Sequence, residues 1–100
     1  PFSKIEIADD KELIFERKVV LSDLDIVNHV NNVKYLEWCL DLLDETSILE
    51  QKISALEMNF LKELSLKDQL EIHELLQQDK TTFSITKEGK SVFALELHFK

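Results

Sequence analysis

The segment Ser22-Asp23-Leu24-Asp25-Ile26-Val27-Asn28-His29-Val30-Asn31-Asn32-Val33-Lys34-Tyr35-Leu36-Glu37-Trp38 runs from a polar loop straight into an apolar helical pattern. An asparagine suits a helix N-cap because its side-chain oxygen accepts from the free amides of the first turn, so the spacing predicts a helix starting near Asn31 or Asn32. From Val33 to Leu43 the polar positions are Lys34, Glu37 and Asp41, three and four apart, and Asp44 continues the row. All other residues of that stretch are apolar, which predicts a helix covered on most of its circumference, with Trp38 and Leu40 buried and Lys34, Glu37 and Asp41 outside. A helix enclosed in this way within a small chain requires a sheet curled around it.

Outward from the helix, the chain supplies such a sheet. Residues 13–21 are rich in branched and aromatic side chains and predict a first strand, and residues 53–61, 70–77, 81–87 and 91–99 predict four more. Their separators, Ser65 to Asp68, Gln78-Asp79-Lys80 and Glu88-Gly89-Lys90, are short, the last two of hairpin length. In the final strand Phe93, Leu95, Leu97 and Phe99 fall on one face and Val92, Ala94, Glu96 and His98 on the other. The expectation is an α+β domain over residues 1–100, an antiparallel sheet of about five strands wrapped around one central helix in the order β-α-β-β-β-β.

Composition narrows the chemistry. With 100 residues, 44% of them hydrophobic, the chain has enough for one core and too little for two. A formal net charge of -8 with no cluster of Lys and Arg argues against a nucleic-acid partner. Cys39 is the one cysteine, so neither an intrachain disulfide nor a cysteine zinc site can form, and a reducing, cytoplasmic setting follows. No apolar run reaches the roughly 20 residues that span a bilayer, and no membrane partner is expected. The chain starts at Pro1 rather than methionine, which reads as processing or excision from a longer protein. One glycine, Gly89, rules out a phosphate loop, a dinucleotide fingerprint and a nucleophile elbow, and with them the matching cofactors. What remains for chemistry is acids, His29 and backbone amides.

The Asp23-Leu24-Asp25 and His29-Val30-Asn31-Asn32 pattern ahead of Tyr35 resembles the active-site segment of acyl-ACP thioesterases of the hot-dog superfamily, in particular the C-terminal catalytic half. The resemblance implies a hot-dog fold, fatty acyl thioester hydrolysis on an acyl carrier protein or CoA, no cofactor and no metal. It also implies pairing with a second hot-dog unit, in the same chain or in a homo-oligomer. The family places Asp, Asn and His at alternate positions. Asp25 and His29 fall on the first and last of these, whereas Val27 occupies the Asn position and Asn28 sits one residue later, so the amide role is vacant unless the loop turns Asn28 inward. The family's further acid corresponds to Glu63 in Asn59-Phe60-Leu61-Lys62-Glu63-Leu64, with Leu64 where many members have Cys and Lys67-Asp68 where the pattern has Gly-Asp.

Residue types fit these roles. An imidazole exchanges a proton near neutral pH, so His29 can give, take or hold one at a water. Asp25, four residues before it, can orient the imidazole or shape the loop as an Asx turn. Asp23 fits the loop-shaping role better. Glu63, beside an apolar acyl tunnel, is the candidate general base or nucleophile. Amides at the helix start, near Asn32 and Val33, face a developing oxyanion and with Asn28 form the expected substrate-binding set. Cys39 lies in mid-helix among apolar neighbours and reads as a small hydrophobe, not a nucleophile. Tyr35 and Trp38 read as core aromatics, and His73 and His98 as sheet-face residues. Three functions stay open on the sequence: an acyl-ACP thioesterase, an acyl-CoA thioesterase of the single hot-dog type, and a non-catalytic acyl-binding or dimerisation module, the last favoured by Val27.

Overall fold

The computed structural model describes residues 12–43, 50 and 52–100. Asp44, expected to continue the helix's polar row, and the first eleven residues of the expected domain lie outside the described residues. The elements are β1 (Glu12–Lys18), a 3-10 turn (Leu21–Asp23), α1 (Asn32–Leu40), β2 (Ile53–Phe60), β3 (Gln69–Leu76), β4 (Lys80–Lys87) and β5 (Lys90–Phe99). All strand pairs are antiparallel, in the spatial order β1-β3-β4-β5-β2. Among the described residues this is the predicted hot-dog arrangement of one long helix and five strands.

In β4 and β5, which lie inside the sheet, residues on both faces are buried. On one face Phe83, Ile85, Phe93, Leu95 and Leu97 are fully buried and meet the helix residues Tyr35, Trp38 and Cys39. Each large apolar side chain so buried contributes about 1.5 to 3 kcal/mol. The opposite face is small and polar, and its groups are mutually satisfied: His73 Nε2 lies 3.3 Å from Thr86 Oγ1, Ser84 Oγ 3.3 Å from Ser91 Oγ, and His98 Nε2 2.7 Å from Glu96 Oε1. His73 and His98 are thus sheet-face residues with local partners.

The β4–β5 hairpin closes through Glu88 and Gly89 at φ 52° and 77°, flanked by the Lys87–Lys90 pair. Two successive left-handed residues match the right-handed twist of the strands, which is why the one glycine sits here. At the other end, β1 stops at Lys18 instead of continuing to residue 21. Val19 is drawn into the core, its amide donating to Asp68 O at 2.9 Å and its carbonyl accepting from Lys67 N at 3.0 Å. The chain then turns through the 3-10 segment toward the helix.

The helix departs from expectation in two respects: it ends at Leu40 rather than running through Leu43, and one of its apolar rows is exposed. Tyr35, Trp38 and Cys39 are buried, but Val33 is 57% and Leu40 38% exposed. The prediction that Leu40 is buried is therefore corrected. The sheet covers one side of a helix only, and Val33 and Leu40, two turns apart, form a second apolar row that the described residues leave uncovered. Lys34 is half-buried while Glu37 and Asp41 are exposed, which agrees with the expected polar row.

Candidate active site

The loop before α1 is built by its acids. Asp23 is buried, and its Oδ2 accepts from Val20 N at 2.9 Å and from Arg17 Nη2 at 2.9 Å. Arg17 in turn lies over the Trp38 ring, 4.4 Å from its centroid. Asp23 O also accepts from Asn31 N at 3.2 Å. One carboxylate and its carbonyl thereby tie the end of β1, the turn and the helix N-cap together, a structural use of Asp23.

Between the bridged residues Leu24 and Val30 the chain makes a tight loop. Asp25 N donates to His29 O at 2.8 Å, and Asn28 N to Asp25 O at 3.0 Å. The Asp25 Oδ1 accepts from Val27 N at 3.0 Å and His29 N at 3.1 Å. An Asp side chain that bonds amides two and four residues on is an Asx-type support, and it fixes where His29 leaves the backbone. Asn28 sits at φ 65°, a left-handed conformation that Asn tolerates better than most residues.

Asn31 caps the helix, its Oδ1 accepting from Val33 N at 3.0 Å and its carbonyl from Lys34 N at 2.8 Å. The Val33 amide, expected to face a substrate carbonyl, is thus held by the cap in this state, while Asn32 stands exposed at the first helical position, whose N–H has no partner within a helix.

Glu63 arrives from the segment between β2 and β3. Leu61 N and Lys62 N both donate to Val92 O, at 2.9 and 3.3 Å, and Leu64 N donates to the Tyr35 hydroxyl at 3.2 Å. Ser65 N donates to Asp68 Oδ2 at 2.8 Å, and Asp68 pairs with Lys87 at 3.1 Å. Held in this way, Glu63 Oε1 lies 3.9 Å from His29 Nδ1, with side-chain exposures of 78% and 57%. That spacing exceeds a direct hydrogen bond.

Among the five predicted polar positions, the structure brings His29 and Glu63 face to face. Asp25 supports the loop from behind, and Asn28 and Asn32 lie on its exposed side. The apolar wall expected beside Glu63 is not supplied by the described residues: Ile26, Val27, Val33 and Leu61 around the site are all exposed. An open groove does occur elsewhere, between Glu16, Lys67, Asp68, Glu71 and Lys87, but its charges are mixed and neither His29 nor Glu63 lines it. Tyr35 was read from the sequence as a core aromatic, and its ring is one; the role of its hydroxyl beside Glu63 was not legible, because Leu64 is 29 positions away.

A five-stranded antiparallel sheet in this order, with one face packed on a capped helix, is a hot-dog domain. The chain belongs to the acyl-ACP thioesterase C-terminal domain family, whose model matches residues 6–100. No curated protein matches it. Among solved structures it is similar to an acyl-ACP thioesterase from Bacteroides thetaiotaomicron VPI-5482, at 24% identity and a TM-score of 0.87 over 98% of this chain and 41% of that one. It is also similar to a 12:0-ACP thioesterase from Umbellularia californica, at 17% identity and a TM-score of 0.83 over 99% of this chain and 40% of that one. A 1,4-dihydroxy-2-naphthoyl-CoA thioesterase from Synechocystis shares the fold at 16% identity and a TM-score of 0.68, over 85% of this chain and 77% of that one. The chain therefore spans about two fifths of the length of the two ACP thioesterases. No helix among the described residues is long and apolar enough to cross a membrane.

Proposed function

We propose that this chain is one hot-dog unit that carries the site of a fatty acyl thioesterase, acting on acyl-ACP and releasing a free fatty acid in the cytoplasm. The single observation that carries this reading is the 3.9 Å approach of His29 Nδ1 and Glu63 Oε1 at the mouth of α1, from residues 34 positions apart. Family membership over residues 6–100 supports it.

In the proposed reaction Glu63 takes a proton from water as the water oxygen attacks the thioester carbonyl carbon. The carbonyl oxygen becomes an oxyanion facing the helix start, where the Asn32 amide and the positive end of α1 stabilise it. As the tetrahedral intermediate collapses, the C–S bond breaks and His29 gives its proton to the departing thiolate. Asp25 acts through the loop that aims His29. A second hot-dog unit, in the same protein or a second copy, covers Val33, Leu40 and Leu61 and encloses the acyl chain, since exposed apolar groups around a charged site leave an acyl chain in water.

A second reading, a non-catalytic acyl-binding module, is favoured by Val27 at the family's Asn position: it is exposed and its side chain can make no hydrogen bond. Steady-state assays on acyl-ACP and acyl-CoA of several chain lengths decide between the readings. His29→Ala and Glu63→Ala are each expected to lower kcat by roughly 100-fold with unchanged far-UV circular dichroism. Wild-type rates in both variants reject the site; acyl binding without turnover in the parent protein establishes the module. Faster turnover of acyl-CoA than of acyl-ACP assigns the carrier to CoA.

A further inference from the structure

Tyr35 is 2% exposed and enters the core inside an aromatic cage. Its ring stacks on Phe93 at 5.4 Å between centroids and meets Trp38 and Phe60 edge-on at 5.6 and 5.8 Å. Packing of that kind explains the ring and leaves the hydroxyl unexplained. The oxygen reaches out of the cage to the segment after β2, where it accepts from Leu64 N at 3.2 Å and donates to Lys62 O at a longer 3.5 Å.

Those two groups are not arbitrary. The Lys62 carbonyl belongs to the peptide unit that precedes Glu63, and the Leu64 amide to the unit that follows it. One oxygen therefore holds both peptide planes flanking the Glu63 Cα, and with them the direction in which the carboxylate leaves the backbone. The Glu63 side chain is itself 78% exposed, so packing does little to aim it. Tyr35 also sits on the first turns of α1, whose cap residue Asn31 directly follows the loop that presents His29 and donates its N–H to Asp23 O at the other end of that loop. The hydroxyl thus links the helix that begins where the His29 loop ends to the peptide units that aim Glu63. Burial, opposed by the Leu64 amide and reinforced by the Glu63 and Asp68 carboxylates, pushes the phenol above its ordinary 10.0, so it stays protonated and able to donate and accept together.

We propose that the Tyr35 hydroxyl is a positioning group for Glu63, fixing the carboxylate against His29 through the two peptide units on either side of it. This rests on the reading of Glu63 and His29 as the reacting pair. Tyr35→Phe keeps the ring and its aromatic contacts and removes only the oxygen. In the full chain it is expected to lower kcat about 10- to 100-fold, the scale of a small misplacement of a catalytic group, with KM within about twofold of the parent. Placed on Glu63→Ala, the same change should cost less than about twofold, because no carboxylate is left to position.

Tyr35 is the chain's one tyrosine, so biosynthetic replacement of tyrosine by 3,5-difluorotyrosine alters this phenol alone. The ring is retained and the hydroxyl ionises more readily, so the alkaline limb of the kcat profile should move to lower pH even if Tyr35→Phe does not fold. A parent-like kcat in Tyr35→Phe, the same loss with and without Glu63, or an unmoved profile in the fluorinated protein each overturns the proposal. Parent-like rates in Glu63→Ala and His29→Ala overturn instead the site reading on which it rests.

Discussion

Arg17 Nη2 meets Asp23 Oδ2 at 2.9 Å while its guanidinium lies 4.4 Å over the Trp38 ring, so a charged side chain from β1 is shared between the turn ahead of the His29 loop and the helix. Asp23 is buried and Arg17 about a quarter exposed, which makes the pair costly to break from either side. Asp23→Ala is expected to lose about 2 to 4 kcal/mol in urea unfolding, somewhat below the cost for a fully buried pair. Arg17→Lys keeps the charge but not the planar stack, and should lose about 1 kcal/mol.

The Asp25 carboxylate bonds amides of its own loop, so its geometry and its charge can be separated. Asp25→Asn retains Oδ1 as an acceptor for Val27 N and His29 N; Asp25→Ala retains none. Thermal melts should place Asp25→Asn within about 0.5 kcal/mol of the parent and Asp25→Ala about 1 to 2 kcal/mol below it. Thioesterase rates should follow the same order, with Asp25→Ala the slower. Equal damage from both changes would assign the carboxylate's charge, not its hydrogen bonds, the larger part.

Burial pushes the Cys39 thiol up to about 12 from an ordinary 9.0, so it is both inaccessible and un-ionised in the folded protein. Alkylation by iodoacetamide at pH 8 should proceed only on unfolding, without loss of activity beforehand. The sign of the pH effect follows. Above pH 9 the unfolded thiol ionises while the folded one does not, so this group's support for the fold is complete below pH 9 and is lost as pH rises toward 12. Stability measured from pH 8 to 11 should decline, and Cys39→Ala should flatten part of that decline. Fast labelling of the native protein would contradict the burial.

The two apolar rows of α1 should respond differently to truncation. Trp38→Ala empties a buried site under Arg17 and Tyr35 and should cost about 3 to 5 kcal/mol. Leu40→Ala, on the uncovered row, should cost less than about 1 kcal/mol at concentrations where the chain is monomeric. If a second unit covers that row, sedimentation will report a dimer or larger at micromolar concentration, and Leu40→Glu will shift it toward monomer. A monomer that turns over acyl thioesters at a full rate would remove the need for a second unit.

The strands and hairpins were legible because they are written locally. Alternation in residues 91–99, a turn at Glu88-Gly89 and an Asn cap before Val33 are decisions made within a few residues of each other, and the structure follows them to within a residue or two except at β1. There the apolar run through Leu21 reads as strand, yet Val19 is held by Lys67 and Asp68 from far along the chain. Leu40 was misplaced for a similar reason: helical periodicity tells which residues share a row, not whether a neighbour exists to cover it.

Sequence alone determined the element order, the polar loop with Asp25 and His29, and the burial of Trp38 and Cys39, because periodicity, capping and turn chemistry act over short separations. Only the tertiary structure decided that His29 and Glu63 meet at 3.9 Å, that Asp25 serves loop amides, and that the Tyr35 oxygen holds both peptides of Glu63. These contacts join residues 27 to 34 positions apart or depend on a side chain's choice among nearby acceptors, and no local pattern records either; they are settled when the sheet packs on the helix and the loop has one place left to go.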